Sequence, residues 1–371
     1  MAYKGVNLYN STHSPVAGIM DMEGNFLHQW SYPFEKIWPE ESEMIDGAYW
    51  RRVTLCDDGD ILAIYVIVRM KNKEPQVIRE DIGMIRLDKD SNLLWVFEGD
   101  DKGGPHHDVV IGNNQKIYVL TRKWKLIPRI NEKEKVFEDF VTVLNDDGKV
   151  IEEHSLLECF ENSSFAYLLK DMNDKGDLFH TNRIYYFDGS LSHISPLFKK
   201  GNVLISAYFL QTIAIVDLEK DRVVWTYSDS EWQGQHEATL LSNGNILFFV
   251  NNKKNNPMGG DQSHVVELNP LTKEIIWQYP GNKNVSFYSR ACGSNQRLPN
   301  GNTLITEFTA GRAFEVTPDR EIIWEFINPE RVGEDHQLVA SLLHMQRFDR
   351  DSLEWLDYNG GRSLISENQA Q

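Results

Sequence analysis

Between Gln235 and Val250 apolar and polar residues alternate, pause and resume. Ala238 and Leu240 point one way along a short strand, Asn243-Gly244 supplies a two-residue hairpin turn, and Ile246 to Val250 runs back as an apolar strand. The phrase recurs at Arg51–Ile61, His107–Ile117 and Gly293–Thr303. In every copy the head residue (Arg51, His107, His236, Gly293) stands ten positions before the first residue after the turn. A second phrase answers it: a polar turn, two apolar residues and then tryptophan, ending at Trp30, Trp95, Trp225, Trp277 and Trp324, with Glu152 in the sixth copy. These endings lie 47 to 73 residues apart. Hairpins repeating at such a period predict the four-stranded blades of a propeller, here six of them.

The chain therefore reads as one all-β domain over residues 1–371, a six-bladed β-propeller with a short helical insertion. Val6 to Tyr9 and the hairpin Gly18 to Trp30 are too little for a whole blade, so the missing inner strand is expected from the strand-like segment Leu338 to Phe348. Blades two to six are expected at about Trp50–Phe97, His106–Glu153, His180–Trp225, His236–Tyr279 and Gly293–Phe326. The stretch 155–177 breaks the alternation. Leu156, Leu157, Phe160, Ala166, Leu168 and Leu169 fit a helical period, and the segment is expected to lie either as a lid over the rim that carries the heads or as a helix packed at the outer edge. The tail 350–371 is polar and expected to fray.

Composition narrows the functions. A net charge of −17 speaks against nucleic acid and anionic membranes as partners and makes any anionic substrate depend on a local group of cations. Three cysteines give no disulfide framework, no apolar run is long enough to cross a membrane, and Met1-Ala2-Tyr3-Lys4-Gly5 does not read as a signal peptide. Cytoplasmic location is the expectation, or secretion if a leader has been trimmed. The pattern is silent on oligomeric state.

In a blade whose strands run up and down outward from the channel, the head residues and the loops joining strands two and three share one rim. The long loops gather there: Tyr32–Tyr49, Lys123–Asp139, Ser155–Asp177, Asn251–Gln262 and Asn328–Gln337. His107, His180 and His236, with Arg51, are thus expected to converge at the channel mouth, and Arg290 is a further candidate for substrate binding. His106 is expected to point the other way along its strand. Imidazoles here suit a nucleophile, a base or metal ligands, and Arg51 suits a sulfate, phosphate or carboxylate. No phosphate-cradling glycine loop and no serine-nucleophile motif is present.

His107-Asp108, His180-Thr181-Asn182, Gln235-His236 and the run Gln296-Arg297-Leu298-Pro299-Asn300-Gly301-Asn302-Thr303-Leu304-Ile305, followed by Gly311-Arg312-Ala313-Phe314-Glu315-Val316-Thr317-Pro318, resemble the arylsulfotransferase family of β-propellers. The likeness covers roughly Arg51 to Trp324. It implies transfer of a sulfuryl group between an aryl sulfate and a phenol, without a nucleotide donor or other cofactor. His236 would be the nucleophile, and His107, His180 and Asn182 would hold the sulfuryl oxygens. The chain departs from the family pattern at Tyr208, in Ile205-Ser206-Ala207-Tyr208, which stands where the family has an arginine, and in Leu343-His344-Met345-Gln346-Arg347-Phe348, where relatives have a Tyr-Arg-rich phrase. Tyr208 facing histidines, with Arg51 nearby, is equally the equipment for β-elimination from an acidic, uronate-like substrate. In that scheme a histidine removes the proton and Tyr208 protonates the leaving oxygen. A divalent metal held by His107, His180 and His236 is a further alternative, and a non-catalytic binding propeller another. All of these take a small anionic or aromatic molecule as substrate or ligand.

Overall fold

The computed structural model of the chain describes residues 1–70, 77–99, 103–253, 262–281, 287–333, 335 and 337–356. Parts of the loops expected at 251–262 and 328–337, and the tail from 357 onward, lie outside the described residues. Six antiparallel sheets of four strands make a six-bladed propeller, the third carrying in addition the short strand Gly176–Asp177, which pairs parallel to Val136–Leu144. The inner strands of blades two to six are Gly47–Leu55, Gly103–Ile111, Thr181–Tyr186, Trp232–Leu240 and Ser294–Arg297. Blade one takes its inner strand, Leu342–Phe348, from the far end of the chain, pairing Val6 with Phe348 and Asn10 with His344. The ring is thus closed by hydrogen bonds between the two ends, which leaves no open edge there for another chain to pair with. The preceding residues Leu338–Val339 pair instead with Arg331–Val332 as a small separate hairpin.

Burial explains why only some strands alternate. Middle strands such as Asn202–Ala207 and Thr212–Asp217 are buried at every position, because each blade packs both faces against its neighbours. Outer strands such as Phe26–Ser31 are mostly exposed. The tryptophan phrase joins the blades. Trp95, Trp225, Trp277 and Trp324 donate their indole N–H groups to Asp146 O (2.9 Å), Pro270 O (2.8 Å), Pro318 O (2.8 Å) and Met22 O (3.1 Å), each in the outer hairpin of the next blade. Trp30 likewise reaches Gly59 O at 3.2 Å.

Blade three, with Glu152, has no such contact; Glu152 pairs with Lys116 of its own blade at 2.7 Å. At this seam the insertion packs. Ser155 caps the helix Leu156–Glu161 by accepting from Glu158 N at 3.1 Å, and Leu156, Leu157, Cys159 and Phe160 are fully buried between blades three and four. The helix Leu156–Glu161 is thus a wedge built into the core, and Asp177, at the far end of the insertion, meets His180 at the rim. The stretch after Asp349 also differs from the expectation of a frayed tail. Through residue 356 it docks, burying Leu353 and Leu356 and laying Trp355 against Trp30 and His28 at ring distances of 5.6 and 5.1 Å. The apolar residues among those polar neighbours are what hold it.

Candidate functional site at the channel mouth

A regular strand sends successive side chains to opposite faces, yet the inner strands here break that rule at the same place. Pairing skips between Trp50 and Arg52, Pro105 and Val109, Thr181 and Arg183, and His236 and Thr239. His107 (φ 57), His180 (φ 49) and Glu237 (φ 49) adopt left-handed backbone at or beside these bulges. The kink turns two neighbouring side chains toward the axis, one at the mouth and one deeper. The deeper set contributes one residue from each blade: His344, Arg52, Asp108, Arg183, Glu237 and Asn295. Arg52 reaches Asp108 (3.0 Å) and Glu237 (3.1 Å), Arg183 reaches Asp108 (2.9 Å) and Glu237 (3.3 Å), and Asn295 donates to Glu237 O at 3.2 Å. This mesh of charges closes the channel, so the site above it is a dead-end bowl.

At the mouth the rings form a connected run. His106 lies 5.1 Å from His107, His107 4.5 Å from His180, His180 5.7 Å from Tyr208, and Tyr208 5.6 Å from His236, centroid to centroid. Phe209, half-exposed, flanks His180 at 5.1 Å. The three expected histidines and Tyr208 are therefore brought together. His106 joins them, contrary to the expectation that it faces away, because left-handed His107 swings both imidazoles to one side. Their Nδ1 atoms stand 2.9 Å apart, and His106 is 1% exposed.

Each ring has its own electrostatic setting. Asp177 accepts the backbone N–H of His180 at 2.8 Å and faces its Nδ1 at 2.7 Å, which fixes the proton on Nδ1 and leaves Nε2 as the basic nitrogen. Burial, reinforced by neighbouring His180, pushes His236 down to about 3, so it is neutral at ordinary pH. Burial, with Arg122 or Arg51 close by, holds His106 and His107 well below their ordinary value. Asp139 is pushed up to about 7 by burial and the nearby Asp177.

Arg51 is at the mouth, but Asp81 takes its Nε at 2.6 Å, so its charge is already matched. Burial opposes the Arg51 charge and Asp81 outweighs it, leaving its pKa above the ordinary value. Arg122, which the sequence did not single out, lies 3.8 Å from Asp177. Asn182 has its amide committed: Nδ2 donates to Gln235 O at 2.9 Å, and Ser206 Oγ donates to the same carbonyl at 2.8 Å. Its donor holds the backbone beside His236 and is not presented to the bowl. Arg290 is exposed, and the described contact it makes is from its backbone N–H to Thr309 Oγ1 at 3.2 Å; its side chain is not brought into the cluster. Gly234 (φ 73) is required here, since a Cβ would come within 2.7 Å of Tyr208 and 2.8 Å of Asn251.

The ligand trio His107, His180 and His236 does not assemble as such. Among the described residues, the donor atoms lying within 4.8 Å of one another belong to Asp81, His106 and His107. Asp81 escaped the sequence reading because it sits in the third strand of its blade, displaced by a bulge between Tyr65 and Val66 that nothing in the local pattern announces.

The family model for arylsulfotransferase (ASST) matches residues 83–329, two thirds of the chain, and the chain belongs to that family. No curated protein matches the sequence. Among solved structures, a protein of unknown function from Bacteroides caccae is similar at a TM-score of 0.56, with 12% identity over 91% of this chain and 97% of that one. A streptogramin B lyase structure is similar at 0.47, with 13% identity over 94% of this chain and 96% of that one. Likeness at this identity speaks for the fold alone.

Proposed function

We propose that the bowl transfers a sulfuryl group from an aryl sulfate to a phenol through a sulfated His236. The observation that carries the reading is the unbroken run of rings from His107 through His180 and Tyr208 to His236, in a chain of the arylsulfotransferase family. Neutral His236 offers a lone pair, and its nitrogen attacks sulfur as the S–O bond to the aryl group breaks; the aryl oxide leaves as an anion, and sulfated His236 carries the balancing imidazolium charge. In the second half a phenol oxygen attacks the same sulfur and the N–S bond breaks. The phenol proton goes to His180 Nε2, the nitrogen that the Asp177–Nδ1 contact leaves without a hydrogen, and passes from there to water as His236 returns to its neutral form. Tyr208 and half-exposed Phe209 supply aromatic surface for the aryl ring. With 4-nitrophenyl sulfate and a phenol, His236→Ala should abolish nitrophenol release and Tyr208→Phe should reduce it only modestly. Mass spectrometry should find one sulfuryl group on His236 when acceptor is withheld. Full turnover in His236→Ala would overturn the assignment.

A second reading, β-elimination from an acidic sugar, is favoured by Tyr208 lying between His180 and His236 at 5.7 and 5.6 Å. There Tyr208→Phe should cost about 10²–10⁴-fold, as loss of a general acid does. Unsaturated product read by ultraviolet absorbance separates the two reactions.

A further inference from the structure

We infer that Asp81, His106 and His107 form a binding site for one divalent transition-metal ion, of the Zn²⁺ kind, at the edge of the bowl. The inference rests on donor geometry and holds whether or not the site transfers sulfuryl groups.

The two Nδ1 atoms of His106 and His107 face each other at 2.9 Å, and Asp81 Oδ2 lies 3.8 Å from His107 Nδ1. Two nitrogens bound to one ion at about 2.1 Å stand roughly 3.0–3.4 Å apart, so the imidazoles are already near a shared point. The chain reaches this arrangement at the cost of a left-handed histidine, His107 at φ 57, within a bulge that takes two neighbouring rings out of strand alternation.

The surroundings also suit an ion. A metal-bound imidazole usually turns its other N–H to a carboxylate. His106 Nε2 is buried, has no hydrogen-bond partner and lies 3.7 Å from Asp139 Oδ1, which is equally buried and unpartnered. With His106 Nδ1 bound to a cation, Nε2 must carry the hydrogen, and it faces a carboxylate oxygen ready to accept it. The other oxygen of Asp81 is fixed by Arg51 at 2.6 Å, which orients the carboxylate. The charges point the same way. Asp81 and Asp177 bring −2 and Arg51 and Arg122 bring +2, and Asp139, when ionised, takes the sum of these five side chains to −1 with the histidines neutral. A divalent ion makes that +1 and favours the ionised form of Asp139. Three protein ligands leave a position open for water or a substrate oxygen. If the transfer reading also holds, the ion provides the positive charge that Tyr208, in the place of the family arginine, does not.

The rival arrangement is a bare Nδ1–H···Nδ1 hydrogen bond between His106 and His107. Titration of the tag-free full-length chain, first dialysed against chelator, with Zn²⁺ in competition with a chromophoric chelator distinguishes the two. A parallel titration with Co²⁺ reads its visible absorption. One equivalent should bind, with Co²⁺ bands of a nitrogen- and oxygen-ligated ion. His106→Gln and Asp81→Asn should each weaken binding at least about 10-fold, whereas exposed His193→Gln should change nothing. Circular dichroism reports whether each variant is folded, and if one variant fails to fold the other carries the comparison. Absence of stoichiometric binding by the native chain, or binding unchanged in folded His106→Gln or Asp81→Asn, would overturn the site. No substrate is present in this assay, so its outcome is independent of whether sulfuryl transfer is found.

Discussion

Asn182 and Ser206 act on His236 through the backbone, since both donate to the carbonyl of Gln235. Buried carbonyls stripped of their donors cost about 1–3 kcal/mol, and the strand relaxes to recover them. Asn182→Ala should therefore lower kcat about 10-fold or more in the folded protein, and Ser206→Ala should act in the same direction. If Asn182 instead touched the sulfuryl oxygens, only Asn182→Ala would do so; steady-state kinetics on both variants decides. At this scale the sequence showed half of the site. Arg51, His107 and His236 declared themselves by equal spacing from a turn, a regularity that survives any local distortion. His106 and Asp81 did not, because their positions depend on bulges at His107 and at Tyr65/Val66. Left-handed backbone is marked in a sequence by glycine or asparagine, and here the residues adopting it are His107, His180 and Glu237.

Strands and hairpins were legible as elements because a two-residue period and Asn-Gly turns are local properties. What the insertion does was not. The apolar face of Leu156–Glu161 predicts a helix that must bury something, but not the seam it fills. That seam is where Glu152 replaces the tryptophan that elsewhere reaches the next blade. The two fastenings should differ in strength. Trp277→Phe removes one indole donor from Pro318 O while keeping most of the ring, and should cost about 1 kcal/mol. Phe160→Ala empties a fully buried space against Phe179, 5.4 Å away, and should cost about 3–5 kcal/mol. Urea denaturation of both variants measures the pair. A Phe160→Ala chain as stable as Trp277→Phe would mean that the insertion is peripheral after all.

The whole ring converges on the charged mesh that closes its channel, and this makes acid the condition that opens it. Burial and then Arg52 push His344 down to about 3, against an ordinary value of 6.5. The unfolded chain thus takes up this proton first, so the contribution of neutral His344 to stability is complete above about pH 6.5 and is lost as pH falls toward 3. Glu237 behaves in the same direction at lower pH. Burial opposes its charge, but Arg183 and Arg52 prevail and bring it to about 2, so its contribution fades as pH falls below the ordinary carboxylate range. Asp139, pushed up to about 7 by burial and Asp177, runs the other way and gains stability as pH falls. A comparison of two chains differing only at residue 344 removes these other groups from the result. His344→Gln keeps a polar side chain beside Glu237, which His344 Nε2 approaches to 3.8 Å, and does not titrate. Between pH 7.5 and pH 5 one histidine with these two values accounts for about 2 kcal/mol of lost stability. Urea unfolding at both pH values should show the native chain losing about 2 kcal/mol more than His344→Gln does. An equal loss in both chains would mean that His344 is as free to take up a proton in the folded ring as in the unfolded chain, and that the mesh is not what acid attacks first.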